Sequence, residues 1–462
     1  MRTLALPAFA LLAGCSGNTV LTLEVTPGHE LDAFSRDPAI TRMQIEGRSP
    51  EGDIVLDAYA APGGEFSLGQ VPDTRLLSFE VHGTDTTGAV AVHGKSLGIV
   101  AGGVQSDLMP VFAQRISEWA RPPGAMDHTH FLGVAGVLGE RYMLLTGGST
   151  LGAETSATPA TPAYYDMLGL AGAVGTALPR TAESLLLSAD GVAALLVGSD
   201  GATWVDFQAN TTLEVTAPTG LGSFAEVVGG TVVASSDGTR YLVGATRASS
   251  PSQAVLVWQP SSGVSAARLA YARQGAAATY IESVGVVVAG GNADPDVPGL
   301  EVLAAGASAT ATRPYPADAV RGAAAVPRTG GQLVLVGGYG ADGAAPVRLV
   351  DAGCAAECVP KVLGITLGPS LDSCQAFAVD ADHFILVGAD RAALVTVGSL
   401  SSGTSRAFAV NVIDQSAAEL ALREPRAGAV PMGTPTGLLA LLGGVHPDGT
   451  GATTIELLDP HQ

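Results

Sequence analysis

His128-Thr129-His130 sets two imidazoles on one side of an extended segment, a spacing able to hold a metal ion. Asp127 precedes them, but no third ligand stands at a suitable interval, so a structural role on a polar strand face fits the pair better. Asn292-Ala293-Asp294-Pro295-Asp296, followed by Gly299, has the oxygen-rich opening of a calcium loop. Leu303 stands where a bidentate glutamate should close that loop, and a solvated hairpin tip is the simpler reading. Of the four cysteines, Cys354, Cys358 and Cys374 cluster late in the chain. In an oxidising compartment Cys354 and Cys358 can close a disulfide across Ala355-Ala356-Glu357, leaving Cys374 as a small apolar residue in the next strand. Zinc on the same thiols lacks a nearby histidine. No Gly-x-Ser-x-Gly elbow and no phosphate-cradling glycine loop precedes a helix, since hardly any helix is foreseen. The side chains therefore single out no catalytic residue, no metal and no cofactor.

The elements that would position these residues announce themselves through glycine. Seven apolar runs each end in a glycine, at Gly147, Gly198, Gly244, Gly290, Gly337, Gly388 and Gly443, with intervals of 51, 46, 46, 47, 51 and 55 residues. A strand-rich repeat of that length is the mark of a β-propeller. Each unit reads as four strands; in the fourth these are Ala276 to Tyr280, Val286 to Ala289, Leu300 to Ala304 and Thr310 to Arg313. An arginine precedes the inner strand in four units (Arg180, Arg273, Arg321, Arg426), and a third strand closing in aspartate recurs at Asp166, Asp206, Asp351 and Asp459. These features resemble the kelch repeat, over about residues 113–462, and imply a seven-bladed ring of the galactose oxidase and kelch superfamily. The pattern departs where Gly198, Gly244 and Gly388 stand without a second glycine, and where the fourth-strand tryptophan is mostly absent. Trp119 is the exception: Ile116 to Trp119 is expected to pair with Thr453 to Leu458, supplying the outer strand that the seventh unit lacks and removing both free edges.

Residues 19–112 lack the glycine period. Their alternating segments, beginning with Val20 to Val25 and separated by Pro-Gly, Gly-Asp and Gly-Thr-Asp turns, predict a small antiparallel β-sandwich of about seven strands. Phe79 to Gly88 resembles a hairpin of immunoglobulin-like or carboxypeptidase-regulatory-like modules, which implies a spacer or adhesive unit.

The first residues carry Arg2, an apolar stretch from Leu4 to Gly14, and Leu12-Ala13-Gly14-Cys15. This resembles the lipobox of bacterial lipoproteins, which implies removal of residues 1–14, acylation of Cys15, a short linker over 15–18 and, with Ser16 next, an outer-membrane address reached through the acyl chains alone. An ordinary signal peptide cut near Ala8-Phe9-Ala10 is the alternative. The formal charge of −20 and the presence of only two lysines, Lys95 and Lys361, leave no basic surface for nucleic acid. Ser199 to Trp204 resembles one aspartate box of sialidases, but occurs once; Tyr164 and Tyr165 read as third-strand aromatics rather than copper ligands. The expectation is a rigid ring that binds a protein or glycan with the loops after the repeat glycines: Ser149 to Pro162, Asn292 to Pro298, Tyr339 to Ala345 and Val445 to Gly451. The alternative is an enzyme acting on envelope carbohydrate or peptide, with carboxylates, Asp127 or His128 converging at the channel.

Overall fold

The glycine-terminated runs are rich in Val, Leu and Ile, which suit a pleated strand buried on both faces. In the computed structural model they form the second strand of each of seven units, six four-stranded and the fifth with an added short strand at Gly343–Ala344, and the chain is described over residues 18–72, 74–100, 108–151, 157–244 and 250–460. Cys15 and the preceding segment lie outside the described residues, as does part of the loop from Ser149 to Pro162. The protein is an all-β seven-bladed propeller. Among the described residues no helix is long and apolar enough to cross a membrane.

The fourth blade illustrates the register: Val287 lies opposite Thr279 on the inner side and Val302 on the outer. Its run Gly285–Ala289 is buried throughout, because each face packs on a neighbouring blade. Burying one such Val or Leu stabilises the fold by about 1.5–3 kcal/mol. Aspartates ending third strands cap the turn that follows: amides of Leu168, Ala209 and Gly353 donate to Asp166, Asp206 and Asp351.

The seventh blade takes its inner three strands from Val430–Gly433, Leu439–Leu442 and Glu456–Leu458 and its outer strand from Trp119–Ala120. Leu458 pairs with Trp119 and Leu457 with Ala120, so the ring is closed by chain from its two ends. The closing strand is shorter than Ile116 to Trp119, beginning three residues later and ending one later. Ile116 still donates to Ala91 of the N-terminal sheet, Ser117 turns through a φ of 60°, and its amide then donates to Asp459.

The N-terminal residues form one eight-stranded sheet from β1 (Asn18–Thr26), β2 (Arg42–Arg48), β3 (Ile54–Ala60), β4 (Glu65–Pro72), β5 (Leu76–Thr84), β6 (Val90–Lys95), β7 (Ile99–Val100) and β8 (Leu108–Arg115). The order is β3-β2-β5-β6-β8-β1-β4 with β7 beside β5, and the end strands β3 and β4 approach, so the sheet curls nearly shut around a core of Leu21, Leu23, Met43, Ile45, Phe79 and Val81. Two details differ from the sequence reading. The β1–β8 pair is parallel, a non-local pairing that hairpin turn signals cannot reveal. In addition, β8 runs through position 112 to Arg115, so the sheet ends inside the segment assigned to the propeller.

Candidate functional site

Antiparallel alternation places the loops after second strands, and the links from each fourth strand to the next blade, on one rim; the remaining turns lie on the other. The repeat glycines mark the first rim. The N-terminal sheet packs on the second: Met109 and Phe112 meet Met143, Met167, Leu168 and Leu438 of blades 1 and 7. Glu30 holds Arg121 beside the closing strand, with Arg121 also bonded to Glu424 of the link into blade 7. The glycine rim therefore lies opposite the sheet's apolar contact.

At two of the glycines a side chain would run into the backbone of the next blade. A Cβ on Gly147 would stand 2.0 Å from the Ala182 carbonyl oxygen of the next blade, and one on Gly290 2.5 Å from that of Val320. Gly147, Gly244, Gly290, Gly337 and Gly443 also hold a positive φ, which favours glycine. Gly198 and Gly388 do not; their nearest neighbours are the Asp200 carboxylate and the Cys374 thiol. A second left-handed position, 15 residues before the repeat glycine, opens the inner strand of six blades: Leu132, Gly229, Gly275, Gly322, Ser373 and Gly428. Their amides stitch the rim, Gly275 donating to Gly244, Gly322 to Gly275, and Leu132 to Gly428. Sequence reading missed this position because leucine and serine occupy it in two blades.

The histidine pair belongs to this scaffold. His130 stands 17 residues before Gly147, the interval that separates Arg273 from Gly290 and Arg426 from Gly443. Its Nδ1 donates to the Gly147 carbonyl at 2.6 Å, as Arg273 Nη1 does to Gly290 at 2.6 Å. One carbonyl anchor is thus built from two residue types. His130 is fully buried, and burial pushes its imidazole down to about 4. His128 packs against it with ring centroids 5.2 Å apart and faces the Thr161 carbonyl, while Asp127 Oδ2 lies 2.9 Å from its Nδ1. Arg273 and Arg426 are fully buried, each against a fully buried glutamate, Glu301 and Glu456. Arg180 pairs instead with exposed Asp200 and Glu214, and Arg321 with Gln274.

Along the described inner strands the ionisable or thiol side chains are Tyr280, Arg321, Asp372 and Cys374. They include one carboxylate, and the other positions are mostly Ala, Val, Leu and Gly. At the channel mouth Arg321 lies opposite Tyr339 in the strand register, Arg391 stacks 3.4 Å above the Tyr339 ring, and Asp372 is 3.7 Å from Arg391. Elsewhere on the rim, Thr129–Phe131 pairs with Ser149–Leu151. The blade 6 strands His383–Val397 and Leu400–Asn411 extend as a hairpin whose Val395 and Val397 pack with Phe131, Leu151 and Val445. Asn292, Asp294 and Asp296 form successive turns in which side-chain oxygens accept following amides. Ser199 and Asp200 form the turn bound to Glu183 and Arg180, and the Tyr165 hydroxyl donates to the Pro123 carbonyl. Cys354 and Cys358 are joined by a disulfide, and Cys374 is wedged between Gly337 and Gly388, where burial pushes its thiol up to about 12.

One aspartate of the repeat has a different partner. Asp459 follows the third strand of blade 7, whose fourth strand is Trp119–Ala120, and its carboxylate bonds His93 Nδ1 on β6. The Gln114 side-chain oxygen accepts the Asp459 N–H, and its amide nitrogen donates to the Leu457 carbonyl. A comparison with protein-family models finds no match, and a search of curated proteins finds no relative.

Proposed function

We propose that this chain is an envelope lipoprotein, acylated at Cys15 and held at the outer membrane of a Gram-negative bacterium, whose kelch-like propeller binds a protein or glycan ligand without transforming it. The observation that carries this reading is the inequality of the two rims: the N-terminal sheet makes its apolar contact on one and reaches the other through Glu30 at the Arg121 and Glu424 links, leaving the repeat-glycine loops there to a ligand. The described channel wall is mostly small and apolar and carries one carboxylate, Asp372, beside Tyr280, Arg321 and Cys374, which suits a recognition surface. Rigid blades with loops of unequal length match a recognition surface. The test is to replace the exposed residues of Asn292 to Pro298, Tyr339 to Ala345 and Val445 to Gly451 by alanine, leaving glycines in place. Binding to isolated envelope polysaccharides and envelope proteins should fall for whichever ligand wild type retains. Full retention in all three variants would reject this rim. Labelled palmitate should enter wild type and not Cys15→Ser.

A further inference from the structure

Among the described residues, one group of three carboxylate and imidazole side chains brings its ligand atoms within 4.8 Å of one another: Glu46, Glu80 and His82. The β2–β5 register sets Glu46 opposite Glu80, and strand alternation sends His82 to the same face two residues on. Their inward neighbours Ile45, Phe79 and Val81 lie in the core, which fixes the three on the outer face. His82 Nε2 is 4.0 Å from Glu46 Oε2, beyond hydrogen-bond reach, and its ring otherwise meets His93 at 5.3 Å.

Glu80 is aimed from behind. Its Oε1 meets His93 Nε2 at 3.1 Å, and His93 is itself bound through Nδ1 to fully buried Asp459. A carboxylate–imidazole–carboxylate chain of this kind is how ligating carboxylates are oriented and their basicity tuned. Arg48 bridges the two glutamates, with Nε 2.7 Å from Glu80 Oε2, and its side chain is 31% exposed. The site thus already holds a cation, on an arm whose Nη1 also donates to the Gly52 carbonyl at 3.2 Å.

We propose that Glu46, Glu80 and His82 bind one divalent transition-metal ion of the zinc class, with Arg48 holding its place in the metal-free protein and swinging out on binding. One imidazole and two carboxylates suit zinc, with a water completing four-coordination, whereas magnesium and calcium favour all-oxygen shells. The assignment is independent of the rim reading.

Isothermal titration of the full purified chain with zinc chloride tests it, with magnesium chloride as comparison. Wild type is expected to bind one zinc at micromolar concentration; His82→Ala and Glu80→Gln should abolish that site, and Arg48→Met should tighten it. His93→Gln should weaken it by about 10–100-fold, the usual effect of removing an outer partner. His383→Ala, remote from the cluster, should change nothing, and circular dichroism of each variant establishes that it is folded. Absence of a saturable site in wild type overturns the proposal, as does a single site that survives in folded His82→Ala. Binding by Arg48→Met alone also overturns it, because Arg48 would then be the permanent counter-ion.

Discussion

Replacing Gly147 by alanine separates two reasons for glycine in the repeat. At φ 73° an alanine is strained by about 1 kcal/mol, partly offset by the smaller entropy of its unfolded chain. The new Cβ would also stand 2.0 Å from the Ala182 carbonyl oxygen, so two blades must part by about an ångström, and overpacking of that kind costs about 1–3 kcal/mol. The same shift would disturb the Gly147 amide bond to Pro159 and the His130 bond to the Gly147 carbonyl. The total is about 2–4 kcal/mol. Gly139 is the matched control: its φ is 53°, but nothing lies within 4 Å of its Cβ position, so Gly139→Ala should cost at most about 1 kcal/mol. Urea denaturation followed by tryptophan fluorescence, with thermal melts in parallel, measures both. A Gly147→Ala loss within about 0.5 kcal/mol of the Gly139→Ala loss, the ordinary scatter of neutral surface changes, would refute the close-approach argument.

Three further outcomes follow from the same packing. Arg273→Met leaves Glu301 buried without its guanidinium and should cost about 3–5 kcal/mol, while adding Glu301→Leu should recover part of the loss; chemical denaturation of the single and double variants measures both steps. His130 has a folded pKa near 4 against an unfolded value of 6.5, so the unfolded chain binds the extra proton between those values. Its contribution is complete above pH 6.5 and falls by up to a few kcal/mol as pH drops toward 4; His130→Asn should flatten that acid limb of stability. Ser373 holds a φ of 50° in a position that four other blades give to glycine, and Ser373→Gly should leave stability unchanged or raise it by up to about 1 kcal/mol, read as a shift in melting temperature.

The propeller is legible in the sequence because positive φ and close approach favour glycine at most repeat positions, so the constraint appears as one letter at intervals of 46–55 residues. Ring closure is legible for a related reason: the seventh unit is one strand short and Trp119 stands ready upstream. Other features are carried by geometry that several residue types satisfy. His130 does the work of Arg273 on a glycine carbonyl, and Leu132 and Ser373 adopt the left-handed turn that glycine marks elsewhere. The Glu46, Glu80 and His82 cluster is hidden for a third reason. Each strand shows only polar alternation, and the group exists through a register that joins residues 46 and 80 and a contact between His93 and Asp459, 366 residues apart. The parallel β1–β8 pair is equally silent, since no local turn encodes it.

The inequality of the two rims is tested most directly by site-specific photo-crosslinking in the producing cells. A photoreactive amino acid would be placed at Asp294, Asp342 and Asp448 on the glycine rim, and at Asp190, Asp237 and Thr329 on the opposite one. The same adduct is expected from the glycine-rim positions and from none of the others. Adducts confined to Asp190, Asp237 and Thr329 would contradict the account and move recognition to the rim on which the N-terminal sheet packs.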